Sequence, residues 1–460
     1  MKKHTYRAQK VNNMNWQQVN EQTAGESLVL AVDVAKVQQT SLQGIANKAA
    51  QDKTYRFRNL FGILTAGFLF GCWDSINRKA SPGVDKLDAI AYEDNLIGNI
   101  QQLVKQVKEG TYRTKLVLRK YIPKVGGKLR PLGIPAIADK LLQLAVAKIL
   151  AAIYEQDFLS CSYGYRPELS AHKAVKDLMG VLNSKKYHAV VEADIKGFFN
   201  AINHNVLIDM LSKRIDDGPF LNLIRKWLKA GILETDGQVS HPLAGTPQGG
   251  IVSPILANIY LHYVLDVWFE ETVRTHCTGH VYLCRYADDF VCAFQQSKDA
   301  QRFYQALIQR LARFGLEVAE DKTQIMEFSH CKAKAKTKFD FLGFEFRWGV
   351  NRWGKPILKR RTSRDKLRAS IVKFKTWFQK HRGLPKKLLF EKLNRKLLGY
   401  YNYFGVTGNF QSLNNFVYHV KGLFFKWLND HSQRKSYNWK GFKELVKCFE
   451  LAKPRILHAF

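Results

Sequence analysis

The sequence predicts an α+β fold in which a ferredoxin-like sheet is followed by a basic, helical C-terminal region. The first observation is the order of segments between residues 189 and 323, which is strand, helix, hairpin, helix, strand. The second is the change after about Gly349 to basic segments with apolar residues at helical spacing. A chain of 460 residues, 46% of them hydrophobic, is long enough for two or three domains.

The centre of the predicted sheet is a hairpin with an acidic turn. Two β-prone runs, 281–284 and 290–294, flank Tyr286-Ala287-Asp288-Asp289, so both carboxylates should lie at the turn. Adjacent aspartates repel each other unless a hard divalent cation lies between them, which points to Mg²⁺. The alternative is an ordinary solvated turn, which is the commoner meaning of an isolated Asp-Asp pair.

A third carboxylate strengthens the metal interpretation. Asp194 ends the apolar run 189–193. If that strand lies beside the hairpin, three aspartates converge on two metal ions and can clamp the attacking and leaving oxygens of a phosphoryl transfer. The sequence therefore predicts nucleotidyl transfer.

Three further segments suggest how a nucleotide could be held. Lys124 and Arg130 flank a Gly-Gly turn, so their cations can converge on a triphosphate, although a solvated basic hairpin is an equal alternative. Phe199 follows the Asp194 strand, where its ring could pack under a sugar and exclude a 2′-hydroxyl; otherwise it is a core aromatic. Gln248 lies in a glycine-rich loop and can both donate and accept hydrogen bonds.

Helical patterns account for most of the remaining sequence. They predict helices at 41–50, 55–78, 88–109, 138–154 and 255–269, and a further helix with Ser297 as its N-cap. Near the C-terminus they predict two helices, one with the apolar stripe Leu367, Ile371, Phe374, Phe378 and one with the stripe Leu389, Leu393, Lys396, Tyr400.

The charge predicts a polyanionic partner. The formal net charge is +33, and residues 331–460 carry 31 basic and 7 acidic residues and five of the nine tryptophans. Basic residues interleaved with aromatics suit phosphate neutralisation and base stacking, the features of nucleic-acid binding. The alternative is a merely solvated basic face.

The cysteines argue against a disulfide framework and against a zinc ribbon. They number seven, without CxxC pairs, and this usage fits a reducing compartment. His276, Cys277, His280 and Cys284 form a cluster whose spacing matches no common zinc site. No long apolar run and no apolar segment after the basic N-terminal residues occur, so we expect a cytoplasmic protein with no membrane partner.

The order of these segments resembles a reverse transcriptase, and more narrowly the proteins encoded by bacterial group II introns. The resemblance covers nearly the whole chain and rests on eight blocks in the family's order: 81–85, 124–135, 163–167, Asp194 with Phe198 and Phe199, 245–254, 286–289, 315–323 and 341–344. It implies a right-hand polymerase with a ferredoxin-like palm, fingers and an α-helical thumb or maturase region. The implied divisions are an N-terminal extension (1–85), fingers and palm (86–346) and thumb (347–460).

The resemblance also implies roles for individual residues. Asp194, Asp288 and Asp289 would be the catalytic metal ligands, with the backbone carbonyl of Ile195 as a further ligand, and Mn²⁺ could substitute for the two Mg²⁺ ions. The implied nucleotide-binding residues are Lys124 and Arg130 at the triphosphate, Phe199 as the selector of deoxynucleotides, Gln248 at the templating pair and Lys322 as a general acid near the leaving pyrophosphate. The segment 341–344 would support the primer terminus, although these residues could equally be core.

The implied activity is RNA-directed DNA synthesis combined with maturase function, in which binding of the parent intron RNA promotes splicing and retrohoming. The partners would be group II intron RNA, an RNA template with a DNA primer, target DNA and dNTPs; the sequence does not determine the oligomeric state. No cysteine-paired endonuclease segment is seen up to Phe460, which points to the endonuclease-lacking class. The alternatives are a splicing-only maturase with a vestigial polymerase site and a host-adopted defence or repair reverse transcriptase. An RNA-dependent RNA polymerase is disfavoured by Phe199.

Overall fold

The computed structural model describes residues 41–123, 129–246, 249–332, 337–430 and 436–460. The chain divides into two compact units. Of the described residues, the N-terminal unit comprises those up to Ile122 with those in Leu129–Phe158 and Phe199–Ile259, and the C-terminal unit comprises those in Leu159–Phe198 and Tyr260–Phe460. The domain boundaries at 85 and 346 stay a prediction.

The strands and helices follow in chain order. The strands are β1 (Val117–Pro123), β2 (Leu129–Ile134), β3 (Ala189–Asp194), β4 (Ile232–Leu233), β5 (Val239–Ser240), β6 (Val281–Tyr286), β7 (Asp289–Phe294), β8 (Gln324–Glu327), β9 (Lys338–Phe341), β10 (Phe344–Val350) and β11 (Pro356–Thr362). The helices after the helical residues 41–51 are α1 (Ala66–Trp73), α2 (Ala89–Glu93), α3 (Leu96–Lys108), α4 (Ile137–Tyr154), α5 (Ala171–Asn183), α6 (Phe198–Ala201), α7 (His204–Ser212), α8 (Gly218–Leu228), α9 (Ser253–Leu261), α10 (Ser297–Ala312), α11 (Arg364–His381), α12 (Lys386–Phe404), α13 (Phe410–Leu428) and α14 (Trp439–Cys448).

In the N-terminal unit a four-stranded sheet, in the order β2-β1-β4-β5, accompanies a helical core. Helix α4 lies at the centre of that core, because its apolar residues at helical spacing, such as Leu142, Val146 and Ile149, are completely buried. Two of the shorter helices have clear start signals: the side chains of Asn203 and Asp217 accept hydrogen bonds from backbone N–H groups in the first turns of α7 and α8.

The C-terminal unit contains the predicted ferredoxin-like sheet. Its strand order is β6-β7-β3-β8, and neighbouring strands are antiparallel. If these four strands are renumbered 1 to 4 in chain order, their order in the sheet is 2-3-1-4. This is the order expected for a ferredoxin-like motif of strand, helix, hairpin, helix and strand. Helix α10 packs on the sheet through Phe303, whose ring lies 5.2 Å from that of Phe294. The predicted α+β fold is therefore confirmed.

The same unit contains a second sheet and the C-terminal helices α11 to α14. This sheet has the order β11-β10-β9 and is antiparallel. Helices α11 to α14 share one aromatic core with it, in which Phe374 packs against Phe416 with ring centroids 5.2 Å apart. None of the described helices is both long enough and apolar enough to cross a lipid bilayer.

Four sequence predictions need correction. The segment 55–78 is helical only at Phe61–Ile63, a 3₁₀ turn, and in α1, which begins where the Thr65 side chain caps it. The segment 88–109 forms two helices, because Asn95 leaves helical geometry at φ −130° and ψ 52°. Ser297 is the first residue of α10 and not its N-cap, which is Gln296. Residues from Gly349 to Thr362 form the β10–β11 hairpin, and helices begin only at α11.

Candidate active site

The two aspartates of the acidic turn lie where the sequence places them. Strand β6 ends at Tyr286 and β7 begins at Asp289, so Ala287 and Asp288 form a two-residue loop. Ala287 has φ 58°, a left-handed conformation that is uncommon for a residue with a side chain. Such a conformation persists only where the surrounding structure fixes it, and it is frequent at functional sites.

Asp194 joins this turn through the register of the sheet. It is the direct cross-strand partner of Asp289, and its carbonyl accepts a hydrogen bond from the backbone N–H of Ala319 on the opposite side (2.8 Å). Asp194 and Asp289 therefore form a non-hydrogen-bonded antiparallel pair, the type in which Cα atoms approach to about 4.5 Å and side chains lie closest. The three aspartates gather at one edge of the sheet.

The backbone of Ile195 is directed towards the same edge. Ile195 pairs with Val318, flanked by the Ala319-to-Asp194 bond and by a second bond from the N–H of Lys196 to the carbonyl of Glu317 (2.9 Å). In this antiparallel pattern the polar groups of the central residue point away from the partner strand. The Ile195 carbonyl consequently faces the β7 side, where a metal held by the aspartates would lie.

The carboxylates at this edge bring several negative charges close together. Burial, and then the charges of Asp194, Glu192 and Asp288, raise the pKa of Asp289 to about 8, with Lys322 acting in the opposite direction. Glu192 was not predicted as a site residue. It lies two positions before Asp194 and so on the same face of β3, and burial raises its pKa to about 7. That spacing on a strand was the signal that could have identified it.

Lys322 lies beside the carboxylates, and its role near a leaving pyrophosphate stays a prediction. It belongs to the 3₁₀ turn Glu320–Lys322, and its Nζ donates a hydrogen bond to a carboxylate oxygen of Asp194. This hydrogen bond is the main cause that raises the pKa of Lys322. The side chain is half exposed, so the ammonium group can be reached from solvent.

A fully buried ion pair supports the turn from behind. Arg285 precedes the turn and is completely buried with Asp266, and its Nε donates to Oδ1 of Asp266 at 2.7 Å. Asp266 ends a π-helical turn, His262–Asp266, in the helix that continues α9 to His276. The same guanidinium donates to the carbonyl of Ala287 (3.1 Å) and to Oγ of Ser162 (2.6 Å). Arg285 thus links the strained loop to two other segments.

A second backbone segment closes around the same turn. The N–H of Tyr163 donates to the Arg285 carbonyl (2.9 Å), and the N–H of Arg285 donates to the Cys161 carbonyl (2.8 Å). Gly164 lies so close to the loop that a Cβ there would be 2.5 Å from the backbone nitrogen of Ala287. This close approach gives a physical reason for glycine in the block 163–167.

The other predicted nucleotide contacts, besides Lys322, lie in the N-terminal unit or outside the described residues. Lys124 and Gln248 are outside them, as is the Gly-Gly turn. The N–H of Thr246 donates to the carbonyl of Phe199 (2.7 Å), and a Cβ on Gly249 would be 2.4 Å from the carbonyl oxygen of Gly133. The glycine loop therefore contacts both Phe199 and β2, the strand that carries Arg130. The roles of these residues stay predictions.

The block 341–344 combines a core position with a tight turn. Phe341 and Phe344 are buried, while Leu342 and Gly343 have φ of 50° and 81° and connect β9 to β10. The hydroxyl of Tyr403 donates to the Leu342 carbonyl (2.8 Å). The two phenylalanines are therefore core residues, and contact with a primer stays a prediction for the turn.

The donor chemistry of the site fits a hard divalent cation. Among the described residues, no group of three or more His, Cys, Asp or Glu side chains is already arranged in metal-coordinating geometry, and this includes both the three aspartates and the cysteine–histidine cluster at 276–284. Asp194, Asp288, Asp289 and the Ile195 carbonyl nevertheless offer only oxygen donors, the type that Mg²⁺ prefers. Burial and, after it, the neighbouring carboxylates raise the pKa of Asp289, and a cation between these carboxylates would neutralise their charge.

Comparison with known proteins gives the family. The model of the reverse transcriptase (RNA-dependent DNA polymerase) family matches residues 122–346. Protein YkfC of Escherichia coli is 32% identical over 286 residues, which are 55% of this chain and 75% of that protein. The chain belongs to the reverse transcriptase family. Its fold is accordingly the palm-type fold of reverse transcriptases.

Other relatives place this reverse transcriptase family member near intron-encoded proteins. The group II intron-encoded protein LtrA of Lactococcus lactis is 32% identical over 403 residues, or 69% of this chain, which spans only 65% of the length of LtrA. A telomerase structure from Candida albicans covers 79% of this chain and 66% of its own, with 14% identity and a TM-score of 0.43.

Proposed function

We propose that the chain is an RNA-directed DNA polymerase encoded by a group II intron, and that it also binds its parent intron RNA as a maturase. The observation that carries the polymerase is the register of β3 and β7, which pairs Asp194 with Asp289 beside Asp288. The similarity to LtrA supports the intron-encoded origin. The basic C-terminal segment supports RNA binding, which is all that a maturase needs if the RNA itself performs splicing.

In this function Asp194, Asp288 and Asp289, with the Ile195 carbonyl, would hold two Mg²⁺ ions, for which Mn²⁺ could substitute. Bound there, the ions would supply activation of the primer 3′-hydroxyl and neutralisation of charge on the leaving pyrophosphate. Arg285 and Gly164 hold the strained loop so that Asp288 and Asp289 keep one geometry. This rigidity matters because a metal-ligand position must be kept to a fraction of an ångström.

Lys322 supplies a cation and a proton donor. A lysine ammonium is protonated at neutral pH. The hydrogen bond to Asp194 raises the pKa of Lys322 further, so its Nζ carries the proton that it would donate to the leaving pyrophosphate. Arg130 and Lys124 would grip the triphosphate, and Gln248 would contact the templating pair. The other substrates are an RNA template, a DNA primer, target DNA and dNTPs.

Primer extension on an RNA template with Mg²⁺ tests the polymerase. Wild type should make DNA, whereas Asp288→Ala with Asp289→Ala should make none, because both changes remove metal ligands. The same variant should keep its affinity for RNA, because a carboxylate does not neutralise a phosphate. Absence of DNA product from folded, RNA-binding wild type would leave the splicing-only maturase as the function.

A separate experiment tests sugar selection. Phe199→Val should raise the incorporation of ribonucleotides relative to deoxynucleotides, because a smaller side chain leaves room for a 2′-hydroxyl. Phe198→Leu is the matched control, because Phe198 is buried in the core at 1% exposure. Unchanged selectivity of the Phe199 variant would make Phe199 a core residue only.

A further inference from the structure

A basic groove lies in the C-terminal unit, apart from the carboxylate edge. Its floor is formed by β11, and its walls are formed by α5 and by the first half of α13. The basic residues that line it are Lys176, Arg347, Lys359, Arg360, Arg361 and Arg364. None of the described residues that line the groove is acidic. Such a surface attracts a polyanion.

The register of the second sheet places like charges side by side in this groove. Arg347 on β10 is the direct cross-strand partner of Lys359 on β11 and of Lys338 on β9. Like charges directly opposite each other destabilise a sheet. Lys338 bonds to the buried Glu345, but neither Arg347 nor Lys359 forms an ion pair within the described part of the chain. Both are exposed, so an anion in the groove would relieve their repulsion.

The facing wall offers groups that bind bases and sugars. Gln411, Asn414, Asn415 and Tyr418 are all exposed and follow one another at i, i+3, i+4 and i+7, so they form one stripe along α13. The amides can donate and accept hydrogen bonds, as ribose hydroxyls and base edges require. Tyr418 is 75% exposed, which leaves its ring available for stacking.

We propose that this groove binds a single-stranded segment of RNA, with Arg347 and Lys359 on successive phosphates and Tyr418 stacked on an unpaired base. Two unpaired cations opposite an amide stripe and an exposed aromatic ring suit a single strand better than a duplex, whose bases are already stacked. The choice of RNA rests on the proposed function, whereas the existence of the groove does not. The site is separate from the metal carboxylates, so the two can be tested independently.

Binding of a fluorescent, unstructured 20-nucleotide RNA to the full chain tests the groove. Tyr418→Ala should weaken binding by about 5-fold to more than 100-fold, the usual effect of removing one stacked base. Arg347→Ala with Lys359→Ala should lower the slope of log affinity against log salt by about 1.4, for two lost phosphate contacts. All three residues are exposed, so none of the variants should have a lower thermal midpoint than wild type. Removal of the repulsion between Arg347 and Lys359 should raise the midpoint slightly.

Lys298→Ala with Arg313→Ala is the matched control, because it removes the same charge from two exposed cations at α10. The control should change affinity by less than 2-fold, and DNA of the same sequence should bind more weakly than RNA. The proposal would be overturned by wild-type affinity in the groove variants, by an equal loss of affinity in the control, or by equal affinity for DNA and RNA.

Primer extension on a short template separates this proposal from the proposed polymerase. Its rate should be unchanged in Tyr418→Ala. If wild type itself makes no DNA, the proposed polymerase activity is refuted, while the binding experiment still decides whether the groove binds RNA.

Discussion

The buried pair of Arg285 and Asp266 allows a strong prediction about the active-site turn. Asp266→Asn leaves the Arg285 charge buried without its counter-charge. Burial alone lowers the pKa of Arg285, but nearby acidic groups, among which Asp266 has the largest effect, raise it above its ordinary value. Breaking a buried ion pair by removing one partner costs about 3–5 kcal/mol. We expect a loss of that size in the free energy of opening β6 and β7, measured by hydrogen exchange of their amides.

Glu270→Gln is the matched control, because Glu270 lies four residues after Asp266 in the same helical run and pairs with Arg274 at the surface. An exposed pair contributes less than about 1 kcal/mol, so this variant should exchange almost as wild type does. Equal hydrogen exchange in Asp266→Asn and Glu270→Gln would refute the reasoning, since it would mean that leaving the buried Arg285 without its counter-charge does not destabilise the strands.

A double variant separates stability from positioning. Arg285→Met with Asp266→Leu replaces the pair with apolar side chains, which is often neutral or stabilising. It also removes the hydrogen bond from the guanidinium to the Ala287 carbonyl. We expect near wild-type hydrogen exchange but a fall of about 100-fold in kcat for primer extension, because a small displacement of catalytic groups has an effect of that order. Wild-type kcat would show that Arg285 does not position the turn.

Two further predictions concern the close approach at Gly164 and the histidine stack. Gly164→Ala should abolish primer extension because its Cβ would press on Ala287, whereas Gly180→Ala, which meets nothing within 4 Å, should leave the rate unchanged; equal rates would contradict the close approach. His172 stacks on His458 at 3.9 Å, and burial lowers its pKa below 6.5. As the pH falls, His172 is therefore protonated in the unfolded state before it is protonated in the folded state. Its stabilising contribution is complete above pH 6.5 and is lost as the pH falls below that value. In His172→Phe, the free energy of unfolding measured with urea should depend less on pH between 7.5 and 5.5 than in wild type, and an unchanged dependence would refute this.

The sequence was sufficient where the signals are local. The β3, β6 and β7 segments are short apolar runs bounded by turn residues, and the order of elements then limits the sheet to few arrangements. The acidic turn was predicted for the same reason. The sequence failed at β11, because the consecutive cations Lys359, Arg360 and Arg361 interrupt the alternation of polar and apolar residues that would predict a strand. The pairing with β10 makes this segment a strand.

The supports of the site could not be predicted, because they depend on contacts between distant residues. In sequence Arg285 and Asp266 resemble ordinary surface charges, which is what charged residues usually are. Their burial becomes evident only when the helix that carries Asp266 lies against the sheet. Gly164 likewise looks like a turn residue until the loop at Ala287 is placed beside it.

The register that brings the aspartates together is also the one that stability favours. Strand β3 is buried on both faces at Ala189, Val190 and Val191, so polar and apolar alternation does not fix its register there. The polar positions of β3 are Glu192 and Asp194, which share one face. A slip of one residue against β7 would turn both carboxylates into the opposite, apolar face, where burying a charge is costly. The carboxylates that would hold the metal therefore also specify the pairing that creates their site.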